Sequence, residues 1–463
     1  MYIEQLYTNC LAEAAYYIES NGEAAVIDPL RETEPYIEKA KSRNAKIKYV
    51  FETHFHADFV SGHIDLARKT GSQIIYGPEA NTSYDVINAT DGEEFFVGKL
   101  KIKALHTPGH TLESTCYLLF DENGKEHCIF TGDTLFVGDV GRPDLLDGIM
   151  TKEELASKMF DSLNNKIKTL PDEVIVYPAH GPGSACGKSM GKETFSTIGI
   201  QKKTNYALIH TEREAFIKEV TDGLNKPPQY FFEDTKINKN GYDAIDDVII
   251  KNKTALTLDQ FEHAVIDGAI ILDTRIADEF ETGFIPGSLN IGLNGMFAVW
   301  VGTLIDINKP LVLICADGKE EETILRLARV GYENVAGYLK GGIETYKALN
   351  KELQTVNSIN AELIEKFYGN DDYIVLDVRK PSEYETEHIK GAINIQLSEI
   401  KERYNELQPG KKYILHCAAG YRSMMAASIL KDHNIENFVN VYGGYGAIKK
   451  TELPKEANLP ELA

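Results

Sequence analysis

The sequence predicts a multidomain α/β protein ending in two parallel-sheet domains, and three observations lead there. The chain has 463 residues, too many for one hydrophobic core. Its second half contains one stretch of sequence twice. Its first half has short apolar runs that each end in a candidate metal ligand.

The repeat sets the organisation. ILDTRIADEFETGFIPGSLNIGL, from Ile271, aligns without a gap on VLDVRKPSEYETEHIKGAINIQL, from Val375, sharing Asp273/Asp377, Arg275/Arg379, Glu279/Glu383, Gly287/Gly391 and Asn290/Asn394. Each copy leads to an apolar strand ending in cysteine, LVLIC at Cys315 and YILHC at Cys417, then to a helical stretch and a Gly-Gly pair. A period of about a hundred residues means duplicated domains rather than a solenoid. Buried strands alternating with helices imply parallel sheets with helices on both faces. The predicted domains are 1–246, 247–353 and 354–463. In the first, a helix is predicted near Lys152 to Asn165, and Pro227 to Asp246 reads as a domain exit.

Composition narrows the functions. An apolar fraction of 43% with 26% charged residues describes an ordinary globular chain. A formal charge of -21 disfavours nucleic acid and anionic membrane surfaces as partners. The N-terminus lacks a basic region followed by an apolar run, so a cytoplasmic location is expected. Six scattered cysteines suit reduced thiols better than a disulfide framework.

Four apolar runs of the first half end in ligands: KYVFETHFH at His54 and His56, IKALHTPGH at His110, HCIFTGD at Asp133 and EVIVYPAH at His180. Loops leaving one sheet edge bring such residues together. Single histidines such as His63 or His106 read instead as core residues satisfied by one hydrogen bond. T-H-x-H-x-D, P-G-H, T-G-D and A-H-G in this order resemble the metallo-β-lactamase fold, which implies an αββα sandwich over residues 1 to about 245. That superfamily commonly holds two zinc ions, and the second needs a histidine where this chain has Phe59, a residue with no lone pair to donate.

One metal is therefore expected. Resemblance to the persulfide dioxygenases implies a single Fe(II) on His54, His110 and Asp133, two imidazoles and a carboxylate that leave positions open for substrate and dioxygen. His56, Asp58 and His180 are then expected to orient ligands or bound water. Low-molecular-weight persulfide and O2 would give sulfite and thiol. Arg142, in GDVGRPD, has two readings, a guanidinium for the substrate carboxylate or an ordinary salt bridge. Cys186, in a glycine-rich loop, reads as a redox or persulfide-carrying thiol or as a small buried one.

Cys417 opens CAAGYRS, which resembles the rhodanese loop C-x-x-G-x-R-[ST]. Backbone N–H groups wrapped around the sulfur and a helix starting nearby favour thiolate, and Arg422 would attract sulfite or thiosulfate. In the middle repeat Cys315 is followed by ADGKEEET, with Glu320 where the last domain has Arg422. Carboxylates there repel anions and disfavour thiolate, so a silent domain is predicted. The whole resembles persulfide dioxygenase–sulfurtransferase fusions of sulfide detoxification, and a homo-oligomer is the expected assembly. The rival readings are a zinc thioester hydrolase of glyoxalase II type and a non-catalytic sulfur-carrier module.

Overall fold

The computed structural model describes residues 1–146, 148–224 and 226–457. The chain divides into two compact units, Met1–Val248 with Leu325–Tyr332, and Ile249–Ile324 with Glu333–Ala463.

The first unit is built on two six-stranded sheets. One runs in chain order: β1 (Tyr2–Thr8), β2 (Glu13–Ser20), β3 (Glu23–Ile27), β4 (Lys46–Phe51), β5 (Gln73–Tyr76) and β6 (Ile87–Asn88). Its first three strands pair antiparallel and the rest parallel. The other sheet holds β7 (Glu94–Val97), β8 (Leu100–His106), β9 (Thr115–Phe120), β10 (Glu126–Gly132), β11 (Ile175–Pro178) and β12 (Ser196–Thr197), again in chain order across the sheet. Strand periodicity sorts the side chains. On β2, Ala14, Tyr16 and Ile18 face Phe95, Ile102 and Tyr117 of the second sheet, whereas Ala15 and Tyr17 face the helix residues Tyr36, Ala40 and Leu66. Behind the second sheet, Cys116, Leu118 and Val176 pack on Met159, Ala156 and Phe216. The result is the αββα sandwich expected from the sequence. Phe51, Phe130 and Tyr117 anchor the layer between the sheets, and burial of each contributes about 1.5–3 kcal/mol.

The predicted helix near Lys152 forms as Lys152–Ser162, started by a capping box in which Thr151 and Glu154 satisfy each other's backbone N–H groups. The stretch read as a domain exit contains the helix Tyr230–Asn240 and lies just before the unit's main segment ends at Val248. Its Asn238 donates to the carbonyls of His56 and Phe59 and accepts from Ser61 N–H. The segment thereby braces the ligand loop. Leu325–Tyr332 also belongs to this unit: Val60 N–H donates to the Arg329 carbonyl at 2.7 Å, and Arg329 pairs with Glu32.

The second unit holds two five-stranded sheets, parallel throughout. One has β13 (Ala255–Leu256), β14 (Ile270–Asp273), β15 (Leu289–Asn290), β16 (Leu311–Ile314) and β17 (Val335–Leu339), ordered β13-β17-β16-β14-β15. The last has β18 (Ser358–Ile359), β19 (Tyr373–Asp377), β21 (Ile393–Asn394), β22 (Lys412–His416) and β23 (Phe438–Val441), ordered β18-β23-β22-β19-β21. The short β20 (His388–Ile389) and β24 (Lys455–Glu456) pair separately. The two sheets repeat one topology.

Candidate active sites

The candidate metal ligands follow strands that end at one edge of the sandwich. His54, His56 and Asp58 follow β4, His110 follows β8, Asp133 follows β10 and His180 follows β11. Two glycines let these loops close. Gly132 has φ +51°, and a Cβ there would fall 2.5 Å from Thr53 Oγ1; one on Gly141 would lie 2.2 Å from the Asp133 carbonyl and 2.9 Å from His110 Nδ1.

Hydrogen bonds fix the imidazole tautomers. Thr53 Oγ1 donates to Asp28 at 2.8 Å and so accepts from His54 Nδ1 at 3.0 Å. His110 Nδ1 donates to the Arg142 carbonyl at 2.8 Å, and His180 Nδ1 to that of Ala12 at 3.2 Å. Each of the three Nε2 atoms therefore keeps its lone pair. Those atoms, His56 Nδ1, Asp58 Oδ1 and both Asp133 oxygens are enclosed and lack a hydrogen-bond partner. Buried polar atoms are rarely left so; imidazole nitrogens and carboxylate oxygens with free lone pairs are the donors a metal cation takes. His110 Nε2 and His54 Nε2 lie 3.4 and 3.8 Å from Asp133 Oδ2. Burial and the neighbouring imidazoles hold His54 well below the ordinary histidine range, which keeps it neutral and able to ligate. The structure brings His54, His110 and Asp133 into one group and His56, Asp58 and His180 into a second, each with ligand atoms within 4.8 Å of one another.

Phe59 is fully enclosed and packs on His56, ring centroids 4.3 Å apart. It adds no donor to the second group. Cys186 lies closer to the chemistry than sequence indicated, because its thiol joins Asp133 and His180 within the same 4.8 Å. Burial, then Asp58 and Asp133, push that thiol well up. The Arg142 guanidinium is committed to Asp144 at 2.7 and 2.8 Å and to the Ala185 carbonyl at 3.2 Å. The Arg142 carbonyl orients His110. His63 is a core residue as expected, bonded to Tyr84 at 2.6 Å and held down to about 3 by burial.

Sequence reasoning missed Asp28 and Glu52. Asp28 receives Thr53 N–H at 2.7 Å. His56 Nε2 lies 3.1 Å from Asp28 and 3.7 Å from Glu52. A signal existed, since EAAVID ends in an acid just as the other ligand-bearing strands do.

In the second unit Cys417 sits at the end of β22, enclosed by its loop, and Gly420 N–H donates to its sulfur at 3.1 Å. Gly444 is required by close approach: a Cβ would meet the Cys417 carbonyl at 2.4 Å. Arg422 is held by Glu383 at 2.6 and 2.8 Å, so its charge is shared with a carboxylate rather than offered wholly to an anion. Cys315, at the end of β16, instead bonds Thr323 at 3.6 Å. Burial pushes its thiol up to about 11 despite Thr323 and Thr274, with Glu320 and Asp273 adding to the rise.

Known proteins match both halves. The pattern of the metallo-β-lactamase superfamily covers residues 8–180. The crystal structure of a metallo-β-lactamase from Staphylococcus aureus subsp. aureus COL is 32% identical with TM-score 0.64, covering 73% of this chain and 98% of its own. The chain belongs to the metallo-β-lactamase superfamily. Within the superfamily, the probable hydroxyacylglutathione hydrolase glo2 of Schizosaccharomyces pombe is 33% identical over 40% of this chain and 69% of its own. The chain spans 60–69% of the length of the hydrolases of this kind that it matches. ETHE1 from Myxococcus xanthus is 29% identical with TM-score 0.45, covering 52% of this chain and 98% of its own. Two rhodanese-like domains follow the superfamily domain, at residues 257–349 and 360–451. No helix among the described residues is long and apolar enough to cross a membrane.

Proposed function

We propose that the N-terminal domain oxidises low-molecular-weight persulfides with dioxygen and that the last domain joins the resulting sulfite to a second sulfane sulfur. The observation that carries this reading is the enclosed donor group of His54, His110 and Asp133 beside a second group from which Phe59 withholds a ligand. Two neutral imidazoles and one carboxylate suit a single Fe(II) with open positions, and such an ion supplies binding and activation of dioxygen next to a soft sulfur ligand. The protein's part is to hold the two ligand imidazoles, His54 and His110, in fixed tautomers through Thr53 and the Arg142 carbonyl, as the Ala12 carbonyl does for His180. His56, Asp58 and His180 stand beside the ligands as proton acceptors and donors.

In the last domain, Cys417 thiolate attacks the outer sulfur of a persulfide R-S-SH. The enzyme S–S bond forms, the R-S bond to that sulfur breaks, and the persulfide proton leaves with the thiol. Sulfite then takes the sulfane sulfur as thiosulfate and restores the thiolate. No net oxidant is needed.

The second reading is a zinc thioester hydrolase, favoured by the 33% identity to a hydroxyacylglutathione hydrolase and by the second donor group of His56, Asp58 and His180. Metal analysis and oxygen uptake on anaerobically purified protein separate the two. About one iron per chain with persulfide-dependent oxygen uptake supports the dioxygenase. Zinc with thioester hydrolysis and no oxygen uptake overturns it.

A further inference from the structure

The Cys417 loop of the last domain is fastened to the middle domain. Tyr421 stands between Arg422 and Gly420, whose N–H reaches the Cys417 sulfur at 3.1 Å, and it opens the helix Tyr421–Asp432. Its hydroxyl donates to the Gly292 carbonyl of the middle domain at 2.7 Å. Its ring lies flat over Gly295, where a Cβ would fall 2.4 Å from the ring's Cζ and 2.6 and 2.8 Å from its two Cε atoms. Two turns along the same helix, Ser428 Oγ accepts the Asn290 N–H at 3.1 Å.

The seat under Tyr421 is held by the scaffold that both repeats share. Asn290 Nδ2 donates to the carbonyls of Asp273 and Arg275, Ile291 N–H to that of Asp273, and Leu293 N–H to that of Thr274. The two glycines of the seat are not part of that shared scaffold. Extending the gap-free alignment of the repeats puts Gln396 and Glu399 where the middle copy has Gly292 and Gly295. Gly295 is outside the left-handed region, so its backbone does not require glycine; the Tyr421 ring does. The contact also has no counterpart in the other direction. After Cys315 the place of Tyr421 is taken by Lys319, which pairs with Glu322 at 2.8 Å.

This arrangement bears on the sulfur through Gly420. With φ +101°, Gly420 has a backbone that can turn more freely than any other residue's. Fixing the next residue in the chain limits where its N–H can point. A donor held on an atom before negative charge develops there needs no reorganisation when it does.

We infer that Tyr421 is a positioning residue for sulfur transfer, through which the middle domain holds the Gly420 N–H on the Cys417 sulfur. The inference rests on the sulfur-transfer reading above and gives the middle domain a task that needs no thiol of its own.

The test uses the full chain under nitrogen, with cysteine persulfide as donor, sulfite as acceptor and thiosulfate as the product read. Tyr421→Phe keeps the ring and removes the hydroxyl. It should lower kcat about fivefold, the worth of one hydrogen bond, with KM for both substrates unchanged, because the anchor acts on the enzyme's sulfur and not on a substrate. Gly295→Ala, a change in the other domain, should lower kcat about tenfold by displacing the ring. In a Tyr421→Ala background the same Gly295→Ala change should cost less than about twofold, because the ring it displaces is gone. An unchanged kcat in both Tyr421→Phe and Gly295→Ala, a raised KM with kcat kept, or an equal cost of Gly295→Ala with and without the ring overturns the inference and leaves the sulfur-transfer reading standing. Absence of thiosulfate in wild type overturns the sulfur-transfer reading, and the inference with it.

Discussion

The middle and last rhodanese domains share a scaffold and differ in a loop. In both, an aspartate at a strand end grips an arginine two residues on: Asp273–Arg275 and Asp377–Arg379 each close to 2.6 Å. In both, an asparagine donates back to the same two carbonyls, Asn290 to Asp273 and Arg275, Asn394 to Asp377 and Arg379. The Gly-Gly pair lies under the cysteine carbonyl in each, at Gly342 and Gly444. These are the positions that the sequence repeat has in common, and they hold the strand–loop–helix unit together. The difference lies in the loop and helix start just after the cysteine. The Cys417 sulfur receives a backbone N–H, and Arg422 stands nearby on Glu383. Cys315 has a threonine neighbour and a helix that begins with Glu320, Glu321 and Glu322. The two copies thus keep the same structural residues and differ in a stretch of a few side chains after the cysteine.

Substitutions break the comparison in descending order of effect. Cys417→Ser should lower thiosulfate formation at least about a thousandfold, since the nucleophile itself is gone. Oxygen uptake should continue, with sulfite accumulating in place of thiosulfate, as ion chromatography would read. Arg422→Ala should reduce transfer about ten- to a hundredfold, because it leaves the half-buried Glu383 carboxylate facing the loop unopposed. The double variant Arg422→Ala/Glu383→Ala should recover part of that loss; no recovery would mean that Arg422 acts on the substrate and not through the pair. Cys315→Ser should change either activity by less than about twofold. With its thiol pushed up to about 11, roughly a thousandth of Cys315 is thiolate at pH 8. Its alkylation rate, followed by mass spectrometry, should rise about tenfold per pH unit until that range is reached. Rapid labelling of Cys315 at neutral pH would erase the proposed difference between the domains.

Much of the metal site was legible because ligand chemistry demands particular side chains at strand ends. His54, His110 and Asp133 are such residues, and the structure gathers them. The features that escaped reading depend on where side chains turn and on distant packing. Arg422 reads as an anion-binding group from its place at the loop's end, yet its guanidinium turns to Glu383, 39 residues earlier. Arg142 turns to Asp144, two residues away, which the sequence allowed and did not decide. Asn238 braces the His56–Phe59 loop from 179 to 182 residues along the chain, beyond any local periodicity. The inclusion of Leu325–Tyr332 in the first unit is likewise a fact of packing. The same holds for the seat of Tyr421, whose residues lie in the other repeat.

The coupling of oxidation to sulfur transfer is tested most directly by a sulfur and oxygen balance on the intact, iron-loaded chain. Two persulfides, one dioxygen and one water should become two thiols, one thiosulfate and two protons. Thiosulfate formed should therefore equal dioxygen consumed, with little free sulfite. In Cys417→Ser the same dioxygen should appear as an equal amount of sulfite. Thiosulfate still equal to dioxygen in Cys417→Ser, or persulfide turnover with no dioxygen consumed by the intact chain, would contradict the account.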